Sequence, residues 1–164
     1  MSLSLDTRYS LAIGILGNDF ITPKEVMRAR PGIVYTEEQI GELATSLPSE
    51  DVLRWCKENH YAIMPAPPQA YSLFDVWGME SSLFCHEMDW SSDSDFVSKN
   101  KTTFGWLAIR KQPILKSTKG SWDDRNKLLS EFEYVPNVAE MSWFVTTYYK
   151  VCRIRLFATS VVFT

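Results

Sequence analysis

Between Lys99 and Lys127 the chain places eight basic side chains, Lys99, Lys101, Arg110, Lys111, Lys116, Lys119, Arg125 and Lys127, against only Asp123 and Asp124. Trp106 and Trp122 are interleaved with them, and Arg153 and Arg155 flank Ile154 further on. Cationic groups neutralise phosphates and carboxylates, and flat indole rings stack on bases or other planar groups. The pattern predicts a surface for an anionic partner made of Lys99, Lys101, Trp106, Arg110, Lys111, Lys116, Lys119, Trp122, Arg153 and Arg155. Lys116 to Ser121, just ahead of a helix near Trp122, also has the make-up of a phosphate site at a helix start. The plainer reading is that these bases are solvated or paired with acids elsewhere. A sequence pI near 5.4 weighs against a dedicated nucleic-acid binder, which is usually basic.

A second chemistry is metal ligation. Cys56 and His60 lie four apart and would share one helix face, and Cys85-His86 would add two ligands to make a Cys₂His₂ set for zinc. Glu87 and Asp89 are alternative hard ligands. The spacing is not that of a zinc finger, however, and Cys56 also suits a core position. The set defines an alternative function, a small metal-dependent enzyme around Cys56, His60, Cys85 and His86.

Other catalytic patterns are weaker. Ser81-Ser82 lies near His86 without a Gly-x-Ser-x-Gly elbow. Glu37-Glu38, Glu50-Asp51 and Asp123-Asp124 sit where helix first turns are expected, and the helix dipole accounts for acids there. Gly14-x-x-Gly17 is too short for a dinucleotide fingerprint. No cofactor motif is present, so no cofactor is predicted. With two histidines in the chain, acid–base catalysis has few players.

The elements that must position these groups follow from caps and periodicity. Thr22-Pro23-Lys24-Glu25 is a capping box with proline at the first helical position, and that helix must stop before Pro31-Gly32. Thr36 to Gln39 is another box, opening a helix with Ile40, Leu43, Ala44 and Leu47 on one stripe. Pro48 ends it and Ser49 caps a third helix with Val52, Leu53 and Cys56 on one face. It ends near Asn59-His60, with Asn59 the expected left-handed residue. The two helices outline a helix-turn-helix over residues 36–60, a nucleic-acid alternative opposed by Glu50 and Asp51 at the start of its second helix.

Strands are predicted at Leu11–Gly17, Tyr61–Met64, Phe104–Lys111 and Arg153–Phe163. Tyr71–Trp77 reads as a strand, with a helix towards Phe84 as the alternative. Leu107 and Ile109 fall on one face of their strand, and Trp106, Ala108 and Arg110 on the other. Residues 89–103 are polar and predict a mobile loop. A short helix is expected from Ser121 or Trp122 to Leu129. The clearest helix spans 137–152, capped by Asn137 with Glu140 three residues on, and Val138, Met141, Val145, Tyr148 and Cys152 form its stripe. Trp143, Phe144 and Tyr149 widen it into a buried aromatic helix.

These elements predict one α+β domain over 1–164, with a mixed sheet packed against short helices and the 137–152 helix. A length of 164 residues, 45% hydrophobic and 13% aromatic, supports a sizeable core. Residues 1–95 carry fifteen acids and six bases, and residues 96–164 five and eleven, so a net charge of −3 conceals a dipolar chain. Three widely spaced cysteines are no disulfide framework and predict reduced thiols in the cytoplasm. No apolar run reaches the about 20 residues of a membrane span. The apolar end Ser160 to Thr164 predicts a strand inside the sheet, a homodimer interface, or a chain that continues. The functional expectation is a non-catalytic binding or assembly module with a protein partner or itself as partner.

Overall fold

The computed structural model describes residues 5–84, 94–114, 121–131 and 133–157. It is an α+β fold of α1 (Leu5–Leu16), α2 (Pro23–Ala29), α3 (Glu37–Thr45), α4 (Glu50–Glu58), β1 (Tyr61–Pro65), α5 (Leu73–Met79), α6 (Ser94–Lys99), β2 (Trp106–Arg110), α7 (Trp122–Asn126) and α8 (Val138–Cys152). Short 3₁₀ turns cover Gly17–Asp19 and Ser81–Leu83. The two strands pair antiparallel, with Tyr61 opposite Arg110 and Pro65 opposite Trp106. A parallel bridge from Phe20 to Ile63 adds a contact on the far side of β1.

The sheet lies between two apolar clusters. Every β1 residue after Tyr61 is buried, so the strand alternates between two cores rather than between core and solvent. Ala62 and Met64 join Leu107 and Ile109 in packing on α8, where Trp143, Phe144 and Tyr148 are buried. Ile63 points the other way, into a cluster with Ala12, Leu16, Phe20, Leu53 and Cys56. The partly buried Trp106 packs on both clusters.

The capping signals are realised as side-chain geometry. Complete capping boxes open α2 at Thr22, α3 at Thr36 and α8 at Asn137. Ser49 accepts from the Val52 amide at the head of α4. Two further boxes, at Ser72 and Ser121, open α5 and α7.

Five expectations change, four of them before the C-terminal segment. Leu11–Gly17 is not a strand: it is the last two turns of α1 and its end. An apolar run of that length does not distinguish a strand from a buried helix by periodicity. Here Ala12 and Leu16, four apart, are both buried in the α4 cluster, and Gly17 at φ +59° terminates the helix in the left-handed region. Tyr71–Trp77 is likewise mostly α5, because the Ser72–Asp75 box nucleates a helix there. In the expected loop, residues 94–99 form α6 and Lys101 bridges to Ser72, while 89–93 lie outside the described residues. At the end of α4 Asn59 stays at φ −97° and His60 takes the left-handed conformation at φ +61°.

The last predicted strand is not extended over its described part. Arg153 ends α8 as a left-handed cap at φ +60°, and Phe157 is left-handed at φ +56°. Positive φ breaks an extended run at both places. Residues 158–163 of that strand lie outside the described residues.

Candidate functional site

A cleft of about 550 Å³ opens where β2, α4, α7 and the 129–136 segment meet. Strand β2 contributes Trp106, Ala108, Ile109 and Arg110, and Pro113 and Ile114 follow it. Helix α4 contributes Asp51, Val52, Trp55 and Cys56, and α7 contributes Trp122 and Arg125. Leu129, Tyr134, Val135 and Pro136 close one wall, with Met141 of α8 and Phe157 beyond. The lining is mainly apolar and aromatic, with a few polar groups, as in ligand and peptide pockets generally. Its rim is exposed: Val52 is 47%, Trp122 50% and Tyr134 60% accessible.

One polar constellation is built into the wall. The Tyr61 hydroxyl donates a short hydrogen bond to Glu133 Oε1, and Arg110 Nη2 donates to the same oxygen at 3.0 Å. The Arg110 guanidinium carbon lies 5.5 Å from the Tyr61 ring centroid, and the Trp55 ring centroid lies 5.2 Å from that of Tyr61. Ser130 donates its amide to Glu133 Oε2 at 2.9 Å, which fixes the loop that carries Tyr134 and Val135.

The electrostatics follow from this arrangement. Burial and the hydrogen bond to Glu133 push the Tyr61 phenol up to about 12. Burial alone would raise the Glu133 carboxyl, but hydrogen bonds from Tyr61 and Ser130 and the Arg110 charge outweigh it and hold it below its ordinary value. Cys56, beneath the cleft, is pushed up to about 11 by burial. These shifts favour one protonation state of each group around neutral pH.

Of the predicted binding residues, the cleft brings together Trp106, Arg110 and Trp122. Lys99 pairs with Asp95 at 2.9 Å on exposed α6, and Lys101 offers its carbonyl to Asn137. Lys111 Nζ is 2.7 Å from Asp19 Oδ2, whose other oxygen accepts from the Tyr148 hydroxyl at 2.7 Å. Arg153 is the cap of α8, and Arg155 lies with its guanidinium carbon 5.0 Å from the Tyr149 ring centroid. Lys116 and Lys119 lie outside the described residues. Of the metal set, Cys56 is buried, His60 is exposed beyond α4, and Cys85 and His86 lie outside the described residues. Among the described residues no three His, Cys, Asp or Glu side chains gather as a metal site.

Sequence reasoning missed Tyr61, Glu133, Asp51 and the 134–136 wall as site residues. The one available signal is Glu131 and Glu133 standing as isolated acids inside the basic half. No helix among the described residues is long and apolar enough to cross a membrane. Comparison with protein-family models, with curated proteins and with solved structures finds no match.

Proposed function

We propose that the protein is a non-catalytic binding module and that its binding element is the cleft between β2, α4 and α7. The observation that carries this reading is the half-exposed Trp122 at the rim of a cavity large enough for a bulky side chain or a short peptide. Exposed tryptophan beside an apolar depression is the usual composition of an interface anchor site. The partner is a protein, and the cytoplasmic location expected from the sparse cysteines belongs to the same reading.

The broader version, a basic surface for an anionic partner, draws less support. Lys99, Arg110 and Lys111 each have a carboxylate partner within 3.0 Å. Exposed Glu50 and Asp51 at the head of α4 likewise give a helix-turn-helix reading little to stand on.

The test uses 8-anilinonaphthalene-1-sulfonate, a flat aromatic probe whose emission rises in apolar sites. Saturable one-to-one binding is expected, weakened at least tenfold by Ala108→Phe, which fills the cleft from its exposed strand position. Non-saturable binding, or saturable binding unchanged by Ala108→Phe, overturns the reading.

A further inference from the structure

Bonded and non-bonded residue pairs alternate along an antiparallel ladder. The amide of Lys111 donates to the His60 carbonyl at 2.9 Å and that of Ala66 to the Gly105 carbonyl at 2.8 Å. With the observed register, these bonds make Ala62–Ile109 and Met64–Leu107 the bonded pairs inside the ladder. Tyr61–Arg110, Ile63–Ala108 and Pro65–Trp106 are then the non-bonded pairs, whose backbone amides and carbonyls point away from the partner strand.

On β1 those outward groups are used. The Ile63 carbonyl accepts from the Ile21 amide at 2.9 Å, and the Pro65 carbonyl from Trp143 Nε1 at 3.0 Å. On β2 they are not. Among the described residues nothing hydrogen-bonds to the backbone of Trp106, Ala108 or Arg110 on that side. Three amides and three carbonyls, repeating about every 6.8 Å along the strand, face outward.

That open edge borders the cleft. Ile109 and its neighbours Ala108 and Arg110 lie on opposite faces of β2, yet all line the cavity. A cavity touching both faces of one strand runs past its edge.

We propose that the β2 edge takes an extended, uncharged, apolar segment of a partner protein as a third strand, seated in the cleft. Main-chain hydrogen bonds would supply affinity, and the cavity would select alternate side chains. Charge argues for this occupant. Among the described residues the lining holds two acids, Asp51 and Glu133, and two arginines, Arg110 and Arg125, so this part of the wall has no net charge. A charged segment would lose its hydration there without a net counter-charge, whereas a neutral β-branched or aromatic one would not. The five residues of β2 fit a partner segment of similar length.

This inference rests on the cleft being the binding element, and the experiment separates the two. The probe is the blocked peptide acetyl-Thr-Val-Thr-Phe-Thr-Val-amide, added to the full chain and followed by residue-resolved amide exchange. In the chain alone, the Leu107 and Ile109 amides should be protected and those of Ala108 and Arg110 should exchange at least a hundredfold faster. The peptide should then slow Ala108 and Arg110 at least tenfold. Its analogue N-methylated at alternate residues should lose at least tenfold in affinity. Ala108→Pro deletes an outward amide without touching the ladder and should weaken the peptide equally, with its urea midpoint recorded as a check on folding. Peptide binding that leaves Ala108 exchange unchanged overturns strand addition while keeping the cleft as a binding site. Failure of the peptide to bind, with anilinonaphthalenesulfonate still sensitive to Ala108→Phe, does the same. Protection of Ala108 in the chain alone overturns the proposal by showing that the edge already has a partner.

Discussion

The guanidinium carbon of Arg30 lies 4.6 Å from the ring centroid of Trp143, and both residues are buried. Arg30 closes α2 while Trp143 sits mid-way along α8, so the contact joins the two helices across the main core. Arg30 Nε donates to Thr147 Oγ1 at 3.0 Å, Nη2 donates to Thr146, and Nη1 lies 3.8 Å from Glu80 Oε1. Burial lowers the arginine's proton affinity and Glu80 opposes that, so the cation stays paired.

Removing Arg30 should therefore cost far more than a surface charge. Arg30→Ala leaves a cavity against Trp143 and takes the donor from Thr146 and Thr147, while Glu80 keeps Lys150 as its partner, and it should destabilise the chain by about 2–5 kcal/mol. Arg30→Met refills the volume with an apolar side chain and should cost less. Urea unfolding followed by tryptophan emission measures both. Equal losses for the two variants would mean that the charge network, not packing, dominates.

The Glu133 carboxyl gives a pH signature. Its pKa is held below the ordinary value in the folded chain. A group depressed by folding stabilises at pH above its unfolded value, about 4.3, and the gain is lost as pH falls through the folded value. Glu133→Gln should thus lower stability at pH 7 by about 1.5–3 kcal/mol, the range for a charged hydrogen bond. The gap between wild type and variant should narrow on acidification below about pH 4. A gap independent of pH would show that the Tyr61 and Arg110 bonds to Glu133 do not depend on its charge.

What was legible in the sequence was local. Thr22, Thr36, Ser49 and Asn137 announced their helices because a cap is a bond between residues three apart. The Leu107–Ile109 face was legible because a strand's period is two. The α1 run was not, since Leu11 to Leu16 is apolar on all sides and only packing on α4 decides its conformation. The candidate site was the least legible part. Tyr61 reaches Glu133 across 72 residues and Arg110 reaches it across 23, and no spacing rule connects them. The basic residues were read as one surface because they share a sign. Their observed carboxylate partners lie anywhere from three positions away, as with Lys127, to ninety-two, as with Lys111.

Cysteine chemistry should report the packing beneath the cleft. With its thiol pushed up to about 11, Cys56 at pH 8 is ionised in only about one molecule in a thousand. Iodoacetamide at pH 8 should leave Cys56 unmodified in the native chain for hours and alkylate it rapidly in 8 M urea, as read by peptide mass spectrometry. Fast native labelling would show that the packing of α4 against Ala12, Leu16 and Ile63 does not cover it.

Asn137 performs two tasks that substitution can separate. Its Oδ1 accepts from the Glu140 amide at 3.0 Å, and its own amide donates back to Glu140 Oε2 at 3.0 Å. Its Nδ2 also donates to the Lys101 carbonyl at 3.0 Å, tying the head of α8 to the chain just before β2. Asn137→Ala removes both bonds made by the side chain and should cost about 1–2 kcal/mol. Asn137→Ser keeps an N-cap oxygen but cannot span to Lys101, so it should recover most of the helix-capping part alone. A serine variant as unstable as the alanine one would place the energy in the Lys101 tether. In that case the cap would matter less for α8 itself than for holding β2, and the open edge it presents, against the buried aromatic helix.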